Sequence, residues 1–164
     1  MKDKFWLIRI WDNINTKCNK NRVKRNEKYI YKVYATPQIL FNMQIEKVNI
    51  QEKFNSFTDY WNPRIAGKLN GQLVKLVKFQ GEFVWHKHDN EDEMFLVMNG
   101  EFNMELRDKT ITISKGYFII IPKGTEHRPV AINEVEVMLF EPDTTLNTGD
   151  AVDTNLTKYE LKEI

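Results

Sequence analysis

The chain from about residue 70 onward alternates between apolar runs and short polar breaks at a regular spacing. The runs are rich in Val, Ile, Phe and Tyr and have the length of short strands, about five to eight residues. The turn signals between them are Gln80-Gly81, Asp89-Asn90, Asn99-Gly100, Arg107-Asp108, Lys115-Gly116, Lys123-Gly124 and Asn133-Glu134. This pattern predicts an all-β sandwich or barrel. No break is long enough for a crossover helix, so the strands should pair antiparallel.

Local signals extend the prediction on both sides of these runs. Asn70-Gly71 lies between two apolar-rich runs and predicts a tight hairpin. Residues 48–57, VNIQEKFNSF, predict a short helix, because Asn49 can cap its N-terminus and Glu52 follows at capping-box spacing. Residues 142–164 form a polar tail, in which only the end carries apolar residues that could dock.

Charge divides the chain near Met43. Residues 1–42 contain ten Lys or Arg against three Asp or Glu, whereas the remainder contains fourteen against twenty, which together give the net charge of +1. We therefore predict a basic N-terminal extension over 1–42 and a domain over 43–164. The extension could bind an acidic partner, pack poorly, or reflect a start codon assigned too far upstream.

Composition excludes several classes of protein. The extension lacks the compact apolar-periodic helices of a helix-turn-helix, and the net charge gives no pull toward nucleic acid or membrane. No apolar run approaches the roughly 20 residues of a membrane helix. The single cysteine, Cys18, cannot form an internal disulfide, and the N-terminal segment is no clear secretory signal. We expect a cytoplasmic protein with no nucleic-acid or membrane partner.

Period-two alternation places two histidines on one side of a strand. In EFVWHKHDNEDEMF, residues 82–95, His86 and His88 share a face with Val84, while Trp85 faces the opposite way. We expect Trp85 to pack under a second sheet or at a dimer contact. The acidic bend at 89–92 lets the chain reverse, so that Glu93 can open the next strand and point back at the histidines.

The face that carries Glu93 is otherwise apolar. If Asn99-Gly100 is a two-residue turn, Met98 pairs with Glu101 and Val97 with Phe102. The predicted cavity lining is then Val84, Phe95, Val97, Phe102, Met104 and Leu106. A carboxylate among such neighbours is costly unless a positive partner meets it.

The remaining histidine, His127, follows the sharp turn at Pro122-Lys123-Gly124 and so lies at a strand end as well. Each histidine could simply be half-buried and hydrogen-bonded. As a set, three imidazoles and one carboxylate suit Zn, Fe, Ni or Cu, and the carboxylate also admits Mn. We predict one divalent transition metal, namely Fe, Mn, Ni or Zn.

These residues resemble the two sequence motifs of the cupins. The first motif reads Gly81, His86-Lys87-His88, Glu93 and Gly100, and the second reads Gly116, Pro122, Gly124 and His127. The second motif usually ends with an Asn where Ala131 stands, but that Asn is not a ligand. The resemblance covers about residues 65–141. It implies a double-stranded β-helix (jelly-roll) barrel, metal ligands at His86, His88, Glu93 and His127, and a homodimer, which is common among one-barrel cupins.

The resemblance leaves the chemistry open. An apolar lining suits a small or partly aromatic substrate, and we expect a small-molecule metalloenzyme of the oxygenase type. A sugar-phosphate isomerase is less favoured, because Lys75 and Lys78 lie on opposite faces of their strand and no general base other than the ligands is evident. A non-catalytic barrel that binds or senses a small ligand is the other alternative.

Overall fold

The structure, a computed structural model, describes residues 45–151 and 154–164. Helix α1 spans Ile50–Phe54, and the Asn49 side chain accepts a hydrogen bond from the backbone N–H of Glu52, as the sequence predicted. Phe54 is fully buried and anchors the helix. The predicted extension over 1–42 and its boundary at Met43 lie outside the described residues.

Seven strands make up the rest of the regular structure in the described ranges, and every strand pair is antiparallel, which confirms the all-β prediction. Their bounds are β1 Arg64–Leu69, β2 Gln72–Glu82, β3 Glu93–Asn99, β4 Glu101–Leu106, β5 Thr110–Ser114, β6 Phe118–Ile121 and β7 His127–Pro142. The central order is β1-β2-β7-β3-β6, and β4 and β5 are added through β7. Asn70 and Gly71 take the positive φ of the predicted hairpin turn between β1 and β2.

The long strand β7 connects the two halves of the sheet. Its first residues, His127 to Val130, pair with β4, whereas residues 136–140 pair with β3. Exposed residues 132–134 lie between these parts of the continuous strand, opposite the register shift after Phe79 in β2. An irregularity of this kind locally increases the bend and twist of a strand, and side chains of both β3 and β4 belong to one core cluster.

Buried apolar side chains form two clusters, and the larger one fills the interior of the barrel. The larger cluster takes alternate residues of β2, β3, β4 and β7, including Phe79, Phe95, Phe102 and Val137. The smaller cluster, around Phe54, Phe57 and Leu76, lies between α1 and the outer face of β2. Strand β2 is therefore buried on both faces, which explains why its sequence, QLVKLVKF, does not alternate cleanly between apolar and polar residues.

Three turn predictions need correction. Asn99-Gly100 joins β3 to β4, but these strands do not pair with each other, since β3 pairs with β6 and β7. Gln80-Gly81 and Asn133-Glu134 lie inside β2 and β7, where they form the irregularity described above instead of chain reversals. A local turn signal reports backbone preference, and the same residues serve equally in a bulge.

The tail after β7 returns along the barrel. Its end docks as predicted, because Ile164 packs on the smaller cluster and its N–H donates to the Ile65 carbonyl. Earlier in the tail Thr148 is fully buried, and the partly buried Leu156 packs on the larger cluster. Among the described helices, none is both long and apolar enough to cross a membrane.

Candidate metal centre

Two extended segments present the histidines. Residues 83–88 follow β2, and their alternating burial places His86 and His88 inward. His86 is paired with His127 at the start of β7, with N···O distances of 3.1 and 2.9 Å between their backbones. The His88 carbonyl accepts a hydrogen bond from Gly124 N–H at 2.6 Å, which ties this segment to the sharp turn before His127. Glu93 opens β3 and is buried, as the sequence predicted.

The imidazoles are oriented by their outer nitrogens. His86 Nδ1 lies 3.0 Å from the Val84 carbonyl oxygen, and His127 Nδ1 lies 2.9 Å from the Thr125 carbonyl oxygen. A carbonyl only accepts, so both Nδ1 atoms carry the proton and both Nε2 atoms keep a free lone pair. This arrangement is the one by which proteins fix the tautomer of a metal-ligating histidine.

The four side chains converge on one point. Their possible ligand atoms all lie within 4.8 Å of one another, and Glu93 Oε2 is 3.3 Å from His88 Nε2 and 3.6 Å from His127 Nε2. Three of these atoms, His88 Nε2, Glu93 Oε2 and His127 Nε2, are buried without a hydrogen-bond partner. Buried polar atoms without partners are rare, and a common ion at about 2.1 Å from each would satisfy them. The residues therefore fit a divalent metal.

The protonation of the metal-free cluster follows from burial and from Glu93. Burial lowers the pKa of His86 to about 4, which keeps its ring neutral. Burial acts to raise the pKa of Glu93, but the adjacent imidazoles of His127 and His88 outweigh it and lower that pKa to about 2. Burial also opposes the charged form of His88, yet the bond to Glu93 and its charge raise the pKa of that imidazole. The lowered pKa values of Glu93 and His86 thus leave an ionised carboxylate beside a neutral imidazole.

A buried ion pair beside this cluster was not found by sequence reasoning. Lys75 Nζ lies 2.8 Å from Glu141 Oε1, and both side chains are 1% exposed. The pairing of Met94 with Phe140 places Glu141 next to Glu93 across the β3–β7 ladder, on the same inward face. Burial and the charge of Glu93 raise the pKa of Glu141 to about 8, although Lys75 acts against the shift. The burial of Lys75 could have been predicted from the sequence, since Lys75 shares its period-two face with the apolar Val77 and Phe79.

A narrow cavity opens onto the centre at His86 and Glu93, and the space between its walls is about 330 Å³ when the open solvent at its mouth is counted. Its apolar walls include Trp61, Val77, Phe79, Phe83, Phe95 and Leu139. Of the six predicted lining residues, Phe95 borders this cavity. Val97, Phe102 and Met104 lie in the larger core cluster, and Val84 and Leu106 pack against it. Sequence reasoning missed Trp61, which precedes β1, because no periodic pattern connects it to the histidines.

Trp85 lies on the side away from the histidines, as predicted, but not beneath a second sheet. The guanidinium of Arg107 lies 3.8 Å from the centre of its ring and that of Arg128 lies 5.3 Å away. Cation–π contact of this kind suits a half-exposed indole. Its ring therefore packs against Arg107, which follows β4, and Arg128 of β7, and the alternative of a dimer contact stays a prediction.

Comparison with known proteins agrees with the geometry. The model of the cupin domain family matches residues 73–142, which include all four convergent residues. A cupin-2 domain protein of known structure from Shewanella frigidimarina is 44% identical, with a TM-score of 0.58 over 58% of this chain and 93% of that one. A Neisseria meningitidis protein of known structure is 28% identical, with a TM-score of 0.56 over 60% of this chain and all of that one.

A curated relative extends the same picture. The Bacillus subtilis protein YdbB is 40% identical over 80 residues, which are 48% of this chain and 65% of YdbB. The match thus spans just under two thirds of that relative. The chain belongs to the cupin family, and its antiparallel sheet has the cupin jelly-roll fold.

Proposed function

We propose that this cupin is a metal-dependent enzyme that acts on a small molecule, with oxygenase-type chemistry favoured. The observation that carries the proposal is the convergence of His86, His88, Glu93 and His127, with three buried ligand atoms left without partners, at the end of an apolar cavity. These four residues would hold one divalent ion, Fe, Mn, Ni or Zn. When bound, the metal supplies Lewis acidity or, if it is iron, the capacity to react with oxygen.

The protein side chains divide the remaining tasks between them. The apolar walls exclude water and hold the carbon skeleton of a substrate, which strengthens electrostatic interactions at the centre. His86 and His127 are fixed by their Nδ1 hydrogen bonds and so keep one geometry. Glu141 lies next to Glu93, and Lys75 holds one of its oxygens. Glu141 is therefore a buried titratable group behind Glu93, and it would act on the centre through Glu93 because it does not border the cavity.

The choice of oxygenase-type chemistry over a sugar-phosphate isomerase has one supporting observation. A phosphate needs a cation that is free to meet it. Lys75 does point inward, but Glu141 already pairs with it, and neither residue borders the cavity.

The predictions of a homodimer and of a cytoplasmic location stay predictions.

The function is tested by metal content and oxygen uptake. The purified protein is analysed for bound metal, and the Fe(II)-loaded protein is then supplied with a panel of small phenols, thiols and keto acids. Metal-dependent oxygen consumption with one class of compound would support the proposal. Tight binding of a compound without any turnover, over the full set of metals, would favour the ligand-binding or sensing alternative instead.

The ligand set is tested by replacing His88 with Ala. This change removes one of four ligands, and metal stoichiometry should fall sharply in equilibrium dialysis at micromolar metal. Lys87→Ala is the matched control, because Lys87 lies between the two histidines but its ammonium bonds outward to Asp89. Unchanged metal occupancy in His88→Ala would show that the assigned ligands are wrong.

A further inference from the structure

Four aromatic rings form a continuous wall along the cavity beside the candidate metal centre. Trp61 stacks on Phe79 with ring centres 4.4 Å apart, and Phe83 lies 4.9 Å from Trp61. Phe83 in turn meets the His86 ring edge-on at 5.2 Å, and Phe95 meets Phe79 edge-on at 6.5 Å. We call these four residues, Trp61, Phe79, Phe83 and Phe95, the aromatic wall.

Trp61 is held in this wall in a conformation that a bulky residue rarely adopts. Its φ of 56° lies in the left-handed region, which is costly for a side chain of this size. Its backbone N–H donates to the Lys78 carbonyl and its indole Nε1–H donates to the Gln80 carbonyl, each at 2.9 Å. Together with the stack on Phe79, these bonds fix the indole against the cavity. Persistent strain of this kind at a cavity is a reason to look for a binding role.

The cavity offers a ligand little to bond with apart from the metal centre. Besides His86 and Glu93, the polar side chain among its described lining residues is Asn147. Both ends of the Asn147 amide are engaged, because Nδ2 donates to the Leu156 carbonyl and Oδ1 accepts from Lys158 N–H. The indole N–H of Trp61 is engaged as well. A ligand must therefore place its polar group at the metal and leave the rest of its surface against aromatic rings.

We infer that the aromatic wall is a subsite for the flat ring of a small aromatic acid or phenol whose oxygen reaches the metal, and that Trp61 determines this specificity. Aromatic rings pack best against other aromatic rings in offset or edge-on contact, where the electrostatics of ring faces and edges add to apolar burial. Trp61 precedes the matched family region at 73–142, so this specificity is a property of this chain's own flank. The inference rests on the proposed function, since it needs a bound metal.

The test uses three carboxylates that differ only in the group attached to the carboxyl carbon. The Zn2+-loaded protein is titrated calorimetrically at pH 7.5 with benzoate, cyclohexanecarboxylate and acetate. Benzoate should bind several-fold more tightly than cyclohexanecarboxylate, because the saturated ring is apolar but puckered. Acetate, which has no ring, should bind most weakly. Trp61→Leu should weaken benzoate binding about tenfold, the scale of a lost aromatic contact plus its buried area, while acetate binding stays unchanged.

Two further variants keep the outcome decisive. Trp85→Leu removes a tryptophan that lies outside the cavity and should leave all three affinities unchanged. Phe83→Leu alters the same wall and should reproduce the loss of benzoate affinity. If Trp61→Leu does not fold, this variant tests whether the aromatic wall binds the ring of benzoate. Equal affinities for benzoate and cyclohexanecarboxylate in a protein that binds one Zn2+ would overturn the subsite alone. A parent protein that binds no metal would overturn the proposed function together with the subsite.

Discussion

The carboxyl group of Glu141 is placed where two strong effects oppose each other. Lys75 lies at ion-pair distance and favours the charged form, whereas burial and the neighbouring Glu93 disfavour it. Burial and Glu93 outweigh Lys75, so the pKa of Glu141 is raised from 4.5 to about 8 in the metal-free protein. A buried pair of this kind costs free energy of desolvation that its mutual attraction need not repay. The contribution of this pair to stability therefore depends on the protonation of Glu141.

The raised pKa predicts a pH-dependent contribution of Glu141 to stability. An acid whose pKa is higher in the folded state stabilises that state fully below the unfolded pKa of 4.5, and this contribution is lost as the pH rises toward 8. The free energy of unfolding of the parent, minus that of Glu141→Gln, should fall between pH 5 and 8. The slope is at most about 1.4 kcal/mol per pH unit.

Urea denaturation in the presence of a chelator, repeated at several pH values, measures this difference. Other titrating groups, including His86 and His88, are present in both proteins and cancel to first order. Glu101→Gln, at an exposed position in β4, is the control and should give a difference that does not vary with pH in this way. A difference that is equally constant for Glu141→Gln would contradict the assignment of the raised pKa.

At the scale of elements, the segment after β7 holds the loop that carries two of the candidate ligands. Lys87 N–H donates to Asp150 Oδ1 at 2.9 Å, and Asp150 N–H donates back to the Lys87 carbonyl at 3.1 Å. Gly149 packs directly on this loop, since a Cβ added there would overlap the Lys87 carbonyl oxygen and lie 3.2 Å from His88 Nδ1. The tail thus fixes the direction in which His88 points.

Replacement of Gly149 by Ala should therefore weaken metal binding. The new methyl group pushes the 86–88 loop away, and we expect at least a tenfold loss of metal affinity, the usual scale for a change behind a ligand. Gly116→Ala is the matched control, because Gly116 also has positive φ but has no atom within 4 Å of the added Cβ. That variant should lose about 1 kcal/mol of stability from backbone strain and keep its metal affinity. Equal metal affinities in the two variants, measured by competition with a chromogenic chelator, would refute the role of Gly149.

The direction of side chains along a strand could be predicted from the sequence, whereas the pairing between strands could not. Period-two alternation correctly placed His86, His88 and Glu93 inward, because it depends only on neighbouring residues in the chain. It could not say that β3 pairs with β6 and β7 instead of β4, because pairing is decided by the whole sheet. The predicted pairing of Val97 with Phe102 failed for this reason, although both side chains do face the common core. Trp61 and the Lys75–Glu141 pair likewise depend on contacts between distant segments.

At the scale of the whole molecule, the candidate site combines a shared centre with parts from both flanks. The four convergent residues lie within the family region at 73–142. Trp61 comes from the segment before β1, and Gly149 and Asp150 come from the tail after β7. In this arrangement the family region supplies the ligands, while the flanks supply a cavity wall and the support behind His88. Flanking segments can therefore change what a cupin binds without changing the ligands themselves.

The same division of the chain predicts the effect of removing residues 1–42. Among the described residues, the smaller cluster joins Phe54 of α1 to Ile164 at the end of the tail. The predicted boundary at Met43 implies that a protein that begins there should fold, bind the same amount of metal and melt within a few degrees of the full chain. A loss of 1 kcal/mol lowers the melting temperature of a protein of this size by about 2–4 °C. Calorimetry of the two proteins measures this directly.

A second truncation, at the C-terminus, shows how large the loss of melting temperature is when a packed segment is removed. Removal of residues 156–164 takes away the packing of the partly buried Leu156 and Ile164 and the backbone bonds between the tail and Ile65. It should lower the melting temperature by several degrees, because each of these side chains loses part of the roughly 1.5–3 kcal/mol that complete burial contributes. If removal of 1–42 were as costly as this, the extension would be packed into the domain. The boundary at Met43 would then be wrong, and the basic segment would be part of the fold instead of an appendage.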